Sequence, residues 1–218
     1  MADATLLISS KNYSSWSLRG YLLTRLAGLP FEEKIVDPDD PTNRKELLMQ
    51  SSSIRIPALM HNDVMLWDTL AIAEYLNEMF PDAHMLPEDR LARARCRSIS
   101  GEMHSGFSAL REACPMNLRL FRPNFAVWSA VQADIERITE IWTECLTTWK
   151  GPWLFGQRPS IADAMYAPVV TRFRSYDIKV DKLCERYCHH IMAWADMKSW
   201  ITAAQKEPEQ IDELDIEF

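Results

Sequence analysis

A seven-residue stretch, Pro81-Asp82-Ala83-His84-Met85-Leu86-Pro87, has a proline at each end and no apolar period, and it separates two unlike patterns in the chain. Ahead of it, short apolar runs alternate with helical spacings. Thr5-Leu6-Leu7-Ile8 reads as a buried strand, and Leu18, Leu22 and Leu26 then recur every fourth residue until Gly28 and Pro30 stop the helix. Residues 31–36 read as a second strand, and the polar stretch 43–49 as a short helix. Ala58-Leu59-Met60 and Val64-Met65-Leu66-Trp67 flank His61-Asn62-Asp63, which is the pattern of a hairpin. A helix with a wide apolar face follows over residues 70–80. The order β-α-β-α-β-β-α predicts a small sheet with a parallel part and an antiparallel edge, covered by helices. Past residue 87, helical periods run through 90–113, 127–149, 161–174 and 191–204 without a convincing strand. The expectation is an α/β domain over residues 1–82 and an all-α domain over residues 88–218, with the acidic end 207–218 on the surface.

Composition narrows the partners. At 47% hydrophobic and 25% charged residues over 218 positions, the chain has a core to bury and is not disordered. A net charge of −7 argues against nucleic acid, which needs a clustered Lys/Arg face. No apolar run approaches the roughly 20 residues that cross a bilayer. Residues 1–7 carry Asp3 and no basic residue, unlike a secretion signal, so the expected location is cytoplasmic. The five cysteines, Cys96, Cys114, Cys145, Cys184 and Cys188, are odd in number and irregularly spaced, which argues for reduced thiols. Cys184 and Cys188 share a helix face beside His189 and His190, but no second ligand pair stands elsewhere, so no metal is expected.

Four segments carry chemistry. Asp68-Thr69 opens a helix, whose unpaired N–H groups and partial positive charge favour an anion; simple N-capping explains the same residues. Ile56-Pro57 precedes the hairpin, where a proline either adopts the cis form or merely opens a strand. The turn Ser9-Ser10-Lys11-Asn12-Tyr13-Ser14-Ser15-Trp16-Ser17 is crowded with hydroxyls at the start of the first helix. Ser160-Ile161-Ala162-Asp163 matches a capping box, with an acid three residues after the cap.

In this order and at these separations, the four signals resemble the cytosolic glutathione S-transferases, over nearly the whole chain. The resemblance implies a thioredoxin-like domain that holds glutathione, joined to an all-α domain that shapes the electrophile pocket. It implies that Asp68 and Thr69 grip the γ-glutamyl end, and that Ile56 before a cis Pro57 pairs with the cysteinyl backbone. Arg55 would meet the glycyl carboxylate. Serine-type members activate the thiol with a serine at the start of the first helix. Ser14 and Ser15 both stand there, Ser14 being favoured because it precedes the first helical turn, and Tyr13 is the rival hydroxyl. Donation to sulfur favours the thiolate, the nucleophilic form. The Ser-Ser-Cys signature of the zeta class is absent. His104, Phe107 and Arg111 fall where the family lines its electrophile pocket, while His61 and His84 read as solvated loop positions.

The implied activity is attack of glutathione, as co-substrate without a metal, on a small electrophilic or peroxidic substrate in detoxification, by a homodimer. The alternatives are a non-catalytic binding or regulatory module of the same fold, or a glutathione-dependent isomerase.

Overall fold

A computed structural model describes residues 4–37, 40–42, 45, 48 and 53–208. Strand β1 (Ala4–Ile8) is almost wholly buried, as its apolar run requires, while β2 (Phe31–Ile35) is a charged, exposed edge. The sheet order is β2-β1-β3-β4. Strands β1 and β2 run parallel, joined by helix α1 (Ser15–Leu26), because a parallel pair needs a crossover. Strands β3 (Ala58–His61) and β4 (Val64–Trp67) form the expected antiparallel hairpin, with Leu7, Ala58 and Trp67 in one register line. Asn62 turns it with φ +53°, a conformation Asn tolerates. Helix α2 (Thr69–Met79) follows and packs beside α1.

The helical part comprises α3 (Arg90–Ser105), α4 (Ser108–Ala113), α5 (Ser129–Trp149), α6 (Ile161–Ser175), α7 (Lys182–Ala193) and α8 (Ala195–Ala204). Helix α6 is its axis: fourteen of its fifteen residues are buried, so it shows no polar face to water. One apolar core runs from β1 and α1 through α3, α5 and α6 to α8, and a smaller cluster of Leu7, Val36 and Ala58 covers the other sheet face. Mixed sheet and helical domain agree with the thioredoxin-like plus all-α class.

Several expectations need correction. The helix expected over 90–113 breaks at Gly106 and Phe107, where Phe107 takes φ +59°. The helix expected over 191–204 is parted at Trp194 into the end of α7 and α8, and α7 begins at Lys182, in residues that lacked a clear period. The proline-flanked stretch, which its lack of period would leave as a linker, is tied down: Met85 is fully buried and its carbonyl accepts the Ile161 N–H at 2.9 Å. His61 is no solvated loop residue either. It ends β3, is 6% exposed, and its Nδ1 lies 2.9 Å from the Tyr75 hydroxyl. Most of the helix expected over 43–49 lies outside the described residues, as do residues 209–218 of the acidic end.

The capping box forms and does more than cap. Asp163, fully buried, accepts from the Ser160 N–H and hydroxyl, both at 2.8 Å, through one oxygen. The other oxygen accepts the Leu154 N–H and the Tyr187 hydroxyl, both at 3.1 Å. Four donors thus tie the start of α6 to the preceding loop and to α7.

Candidate functional site

The β1–β3–β4 register brings the end of β1, the start of β3 and the end of β4 together, so the N-termini of α1 and α2 open at one rim of the sheet. A cleft of about 290 Å³ lies there, lined by Trp16, Arg55, Ile56, Pro57, Asp68, Thr69 and His104. Five of the six residues expected to hold glutathione therefore share one wall, with Ser14 two residues before Trp16.

Local structure explains each position. The Ile56–Pro57 bond is cis, and the Pro57 ring packs against α1 at Gly20, where any Cβ would come within 2.8 Å of it. Among the described residues, the Ile56 N–H and carbonyl have no partner just ahead of β3, so this backbone can pair with another chain. Arg55 is exposed at the mouth of the cleft. Asp68 caps α2, accepting the Leu70 N–H at 2.9 Å and the Ala71 N–H at 3.3 Å through Oδ1. Its backbone sits at φ +79°, a strained conformation for a side-chain-bearing residue. Thr69, the first residue of the helix and so at its positive end, lines the cleft.

His104 enters from α3. Its Nε2 stands 3.1 Å from Asp68 Oδ2, its Nδ1 3.4 Å from Thr69 Oγ1, and its ring meets Trp16 edge-on at 5.1 Å. The residue expected in the electrophile pocket thus stands on the wall formed by Asp68 and Thr69. Phe107 is buried in the core at 7% exposure.

The hydroxyl turn is closely knit. Ser14 is the N-cap of α1, its hydroxyl accepting the Ser17 N–H at 3.2 Å and donating to Ser17 Oγ at 2.9 Å. Ser17 also accepts the Ser9 N–H at 3.0 Å, which joins the end of β1 to the helix. Ser15 points the other way, where Arg172 Nη2 donates to its hydroxyl at 3.3 Å. Tyr13 is buried with the Arg119 guanidinium 5.8 Å from its ring centre.

Behind Trp16 lies a feature that sequence reasoning missed. Arg19 and Arg172 are buried and Arg111 half-buried, with the Arg19 and Arg111 guanidinium groups 4.6 and 4.9 Å from the Trp16 ring. Arg19 donates to the Met165 carbonyl at 2.8 Å and Arg172 to the Cys114 carbonyl at 2.8 Å, while Arg19 Nη2 has no partner. Among the described residues no carboxylate pairs with any of the three. Burial, then the neighbouring arginines, lower Arg19 well below the usual guanidinium range and Arg172 to about 10. The available signal was Arg19 itself, a cation between Leu18 and Leu22 in the stretch whose leucines recur every fourth residue.

The cysteines offer no rival nucleophile. Burial pushes Cys96, Cys114, Cys145 and Cys188 up to about 12, far from the thiolate form at neutral pH. A larger cavity of about 710 Å³ opens between α6, α7 and α8 and shares no lining residue with the cleft. It lacks the convergent helix N-termini that make the smaller one a site. Among the described residues, no helix is long and apolar enough to cross a membrane, and no group of three His, Cys, Asp or Glu side chains is arranged to hold a metal.

Comparison with known proteins agrees with this geometry. Residues 13–79 match the glutathione S-transferase N-terminal domain, and residues 100–196 the glutathione S-transferase C-terminal domain. A glutathione transferase homologue from Burkholderia GL BGR1, solved with bound glutathione, superposes with a TM-score of 0.71 at 25% identity, over 94% of this chain and 99% of that one. A probable maleylacetoacetate isomerase of Caenorhabditis elegans is 28% identical over 72% of this chain and 73% of its own length. For a probable glutathione S-transferase of Nicotiana tabacum the identity is 23%, over 84% of this chain and 79% of that protein. With the two domains matched in order and the cleft built at their junction, the chain belongs to the glutathione S-transferase family.

Proposed function

We propose that this glutathione transferase binds the tripeptide along the cleft, extended from Asp68 to Arg55, and activates its thiol from Ser14 for attack on a small electrophilic or peroxidic substrate. The observation that carries the reading is the single wall formed by Arg55, Ile56, Pro57, Asp68 and Thr69. An extended zwitterionic peptide needs an anion grip at one end, a free backbone edge in the middle and a cation at the other. The Thr69 N–H and hydroxyl receive the γ-glutamyl carboxylate, and Asp68 Oδ2, shared with His104, receives its ammonium. Ile56 pairs with the cysteinyl backbone and Arg55 meets the glycyl carboxylate. Ser14 then donates to the sulfur as it becomes a thiolate. The reading includes domains dividing at 1–82 and 88–218, a role in detoxification, a cytoplasmic location and a homodimer, whose mass light scattering at micromolar concentration would give; a monomer there contradicts the dimer.

The test is retention on immobilised glutathione together with turnover of a chloronitroaromatic substrate. Retention without turnover of any electrophile would make the chain a binding module. Within the cleft, Asp68→Ala and Thr69→Ala should each weaken glutathione binding by about 1.5–3 kcal/mol, the worth of a hydrogen bond to a charged group, with the fold kept. Calorimetric titration reads this directly, and unchanged affinity in both variants removes these residues from the grip.

A second reading, glutathione-dependent isomerisation of an anionic substrate, is favoured by one observation: the Arg19, Arg111 and Arg172 cluster without a described carboxylate partner. Arg111→Ala separates the two. It should slow a carboxylate-bearing substrate and spare a neutral chloronitroaromatic one if the cluster binds substrate.

A further inference from the structure

The segment that carries Ser14, two residues before the cleft-lining Trp16, is a turn whose own backbone leaves two consecutive N–H groups without a backbone acceptor. Ser10 begins it: its carbonyl accepts the Ser14 N–H at 3.0 Å, and its hydroxyl oxygen lies 3.2 Å from the Asn12 N and 3.4 Å from the Tyr13 N. The N–H groups of Lys11 and Asn12 point outward together, an arrangement that calls for an anion. The anion is Glu207, 196 residues along the chain from Lys11. One carboxylate oxygen accepts the Lys11 N–H at 2.7 Å, and the other accepts the Asn12 N–H at 3.0 Å and the Ser10 hydroxyl at 2.9 Å. These are charge-assisted bonds from three successive residues to one carboxylate.

Glu207 is itself held. Its backbone carbonyl accepts from Arg119 Nη1 at 3.0 Å, and its N–H donates to the Ala204 carbonyl at the end of α8 at 3.3 Å. Nearby, Trp200 of α8 donates its indole N–H to the Lys11 carbonyl at 2.9 Å. On the other side of the turn, the Asn12 side chain donates to Asn117 Oδ1 at 3.0 Å and accepts the Leu118 N–H at 2.9 Å. The acidic end expected to lie free on the surface therefore begins with a residue built into the thiol-activating turn.

We propose that Glu207 is a positioning residue for this reaction: its carboxylate, clasping the N–H groups of Lys11 and Asn12, fixes the turn so that the Ser14 hydroxyl reaches the glutathione sulfur. Glu207 itself lines no part of the cleft and touches no site assigned to glutathione. The inference deepens the reading of Ser14 given above and rests on it. Its consequence is specific. Loosening the turn misplaces the donor to sulfur but leaves Arg55, Ile56, Asp68 and Thr69 where they are, so the thiol's acidity changes and the grip on the tripeptide does not.

The experiment titrates the thiolate absorbance of bound glutathione against pH, and measures kcat and KM, for the full chain, Glu207→Ala, Glu207→Gln and Ser14→Ala. Amide hydrogen exchange at Lys11 and Asn12 is followed in parallel. Glu207→Ala should raise the bound thiol's pKa by about one unit and lower kcat at neutral pH about tenfold. KM for glutathione should stay within about twofold of the parent, the signature of an effect on the thiol rather than on the grip. Exchange at Lys11 and Asn12 should quicken. Glu207→Gln, which keeps one acceptor oxygen, should fall between the two, and it carries the test if the alanine variant does not fold. An unchanged thiol pKa and kcat in the folded variants overturns the proposal, as does a loss of kcat and KM together in step with melting temperature. If Ser14→Ala raises the thiol pKa and Glu207→Ala does not, the positioning role falls while the serine reading stands. Should Glu207→Ala raise it and Ser14→Ala leave it alone, the turn is fixed by Glu207 but activates sulfur through another group.

Discussion

Replacing Asp163 with alanine should lower the stability of the whole chain by at least about 3 kcal/mol, with no direct effect on glutathione contacts. The carboxylate is fully buried and satisfies four donors, from the Leu154 N–H, the Ser160 N–H and hydroxyl, and the Tyr187 hydroxyl. Removing it leaves at least three of these donors in the core with no acceptor, at about 1–3 kcal/mol each. Against a total stability of about 5–15 kcal/mol, that brings a domain of this kind close to unfolding at body temperature. Burial pushes the Asp163 carboxyl above the ordinary carboxylate range, opposed by its hydrogen bonds. The four hydrogen bonds are thus what favours the carboxylate against the cost of its burial. Asp163→Asn tests that point. Its oxygen still serves Leu154 and Tyr187, but its amide presents N–H groups to the Ser160 N–H, so it should recover only part of the loss. Urea denaturation followed by tryptophan fluorescence measures both, and a change under about 1 kcal/mol for Asp163→Ala would mean that the four bonds are not what organises α6.

Why this box was legible while the arginine cluster was not comes down to the range of the interactions. Ser160 and Asp163 are three residues apart, and a local rule for helix starts finds them. Asp68-Thr69 and Ile56-Pro57 are likewise backbone features of two adjacent residues, and the structure places them on one wall. Trp16, Arg172 and Glu207 act through partners distant in sequence, as when Trp16 meets His104, Arg172 meets Ser15 or Glu207 meets Lys11. No period or spacing encodes such a pairing. His61 is a different kind of miss. Alternation along β3 puts it on the face of Leu59, which is fully buried, so the strand pattern carried the answer and the polar residue type obscured it. The break of the third helix left one mark, Gly106, which the flanking apolar period outweighed, while Phe107 is an uncommon residue for the left-handed backbone that the turn demands.

For the chemistry, the decisive variant is Ser14→Ala, which should cut turnover at neutral pH to between about a tenth and a hundredth by raising the bound thiol's pKa one to two units. The Ser14 hydroxyl donates to Ser17 Oγ at 2.9 Å. In the proposed role, that hydroxyl would exchange a neutral partner for a developing anion, a stronger acceptor, while Ser17 keeps the Ser9 N–H as a donor. The variant also removes an N-cap, which costs about 0.5–2 kcal/mol of stability. That loss moves the melting temperature and not the thiol's acidity, so the two effects separate in one pH titration of thiolate absorbance. Glutathione affinity should change little, because the grip proposed above holds the tripeptide at its ends. Two controls bound the assignment. Ser15→Ala removes a hydroxyl that already accepts from Arg172 and faces the buried cluster, and Tyr13→Phe removes one that is packed beside Arg119. Both should leave the bound thiol's pKa within a few tenths of the parent. A raised pKa in Tyr13→Phe or Ser15→Ala, with Ser14→Ala unchanged, transfers the activating role to that residue and ends the case for Ser14.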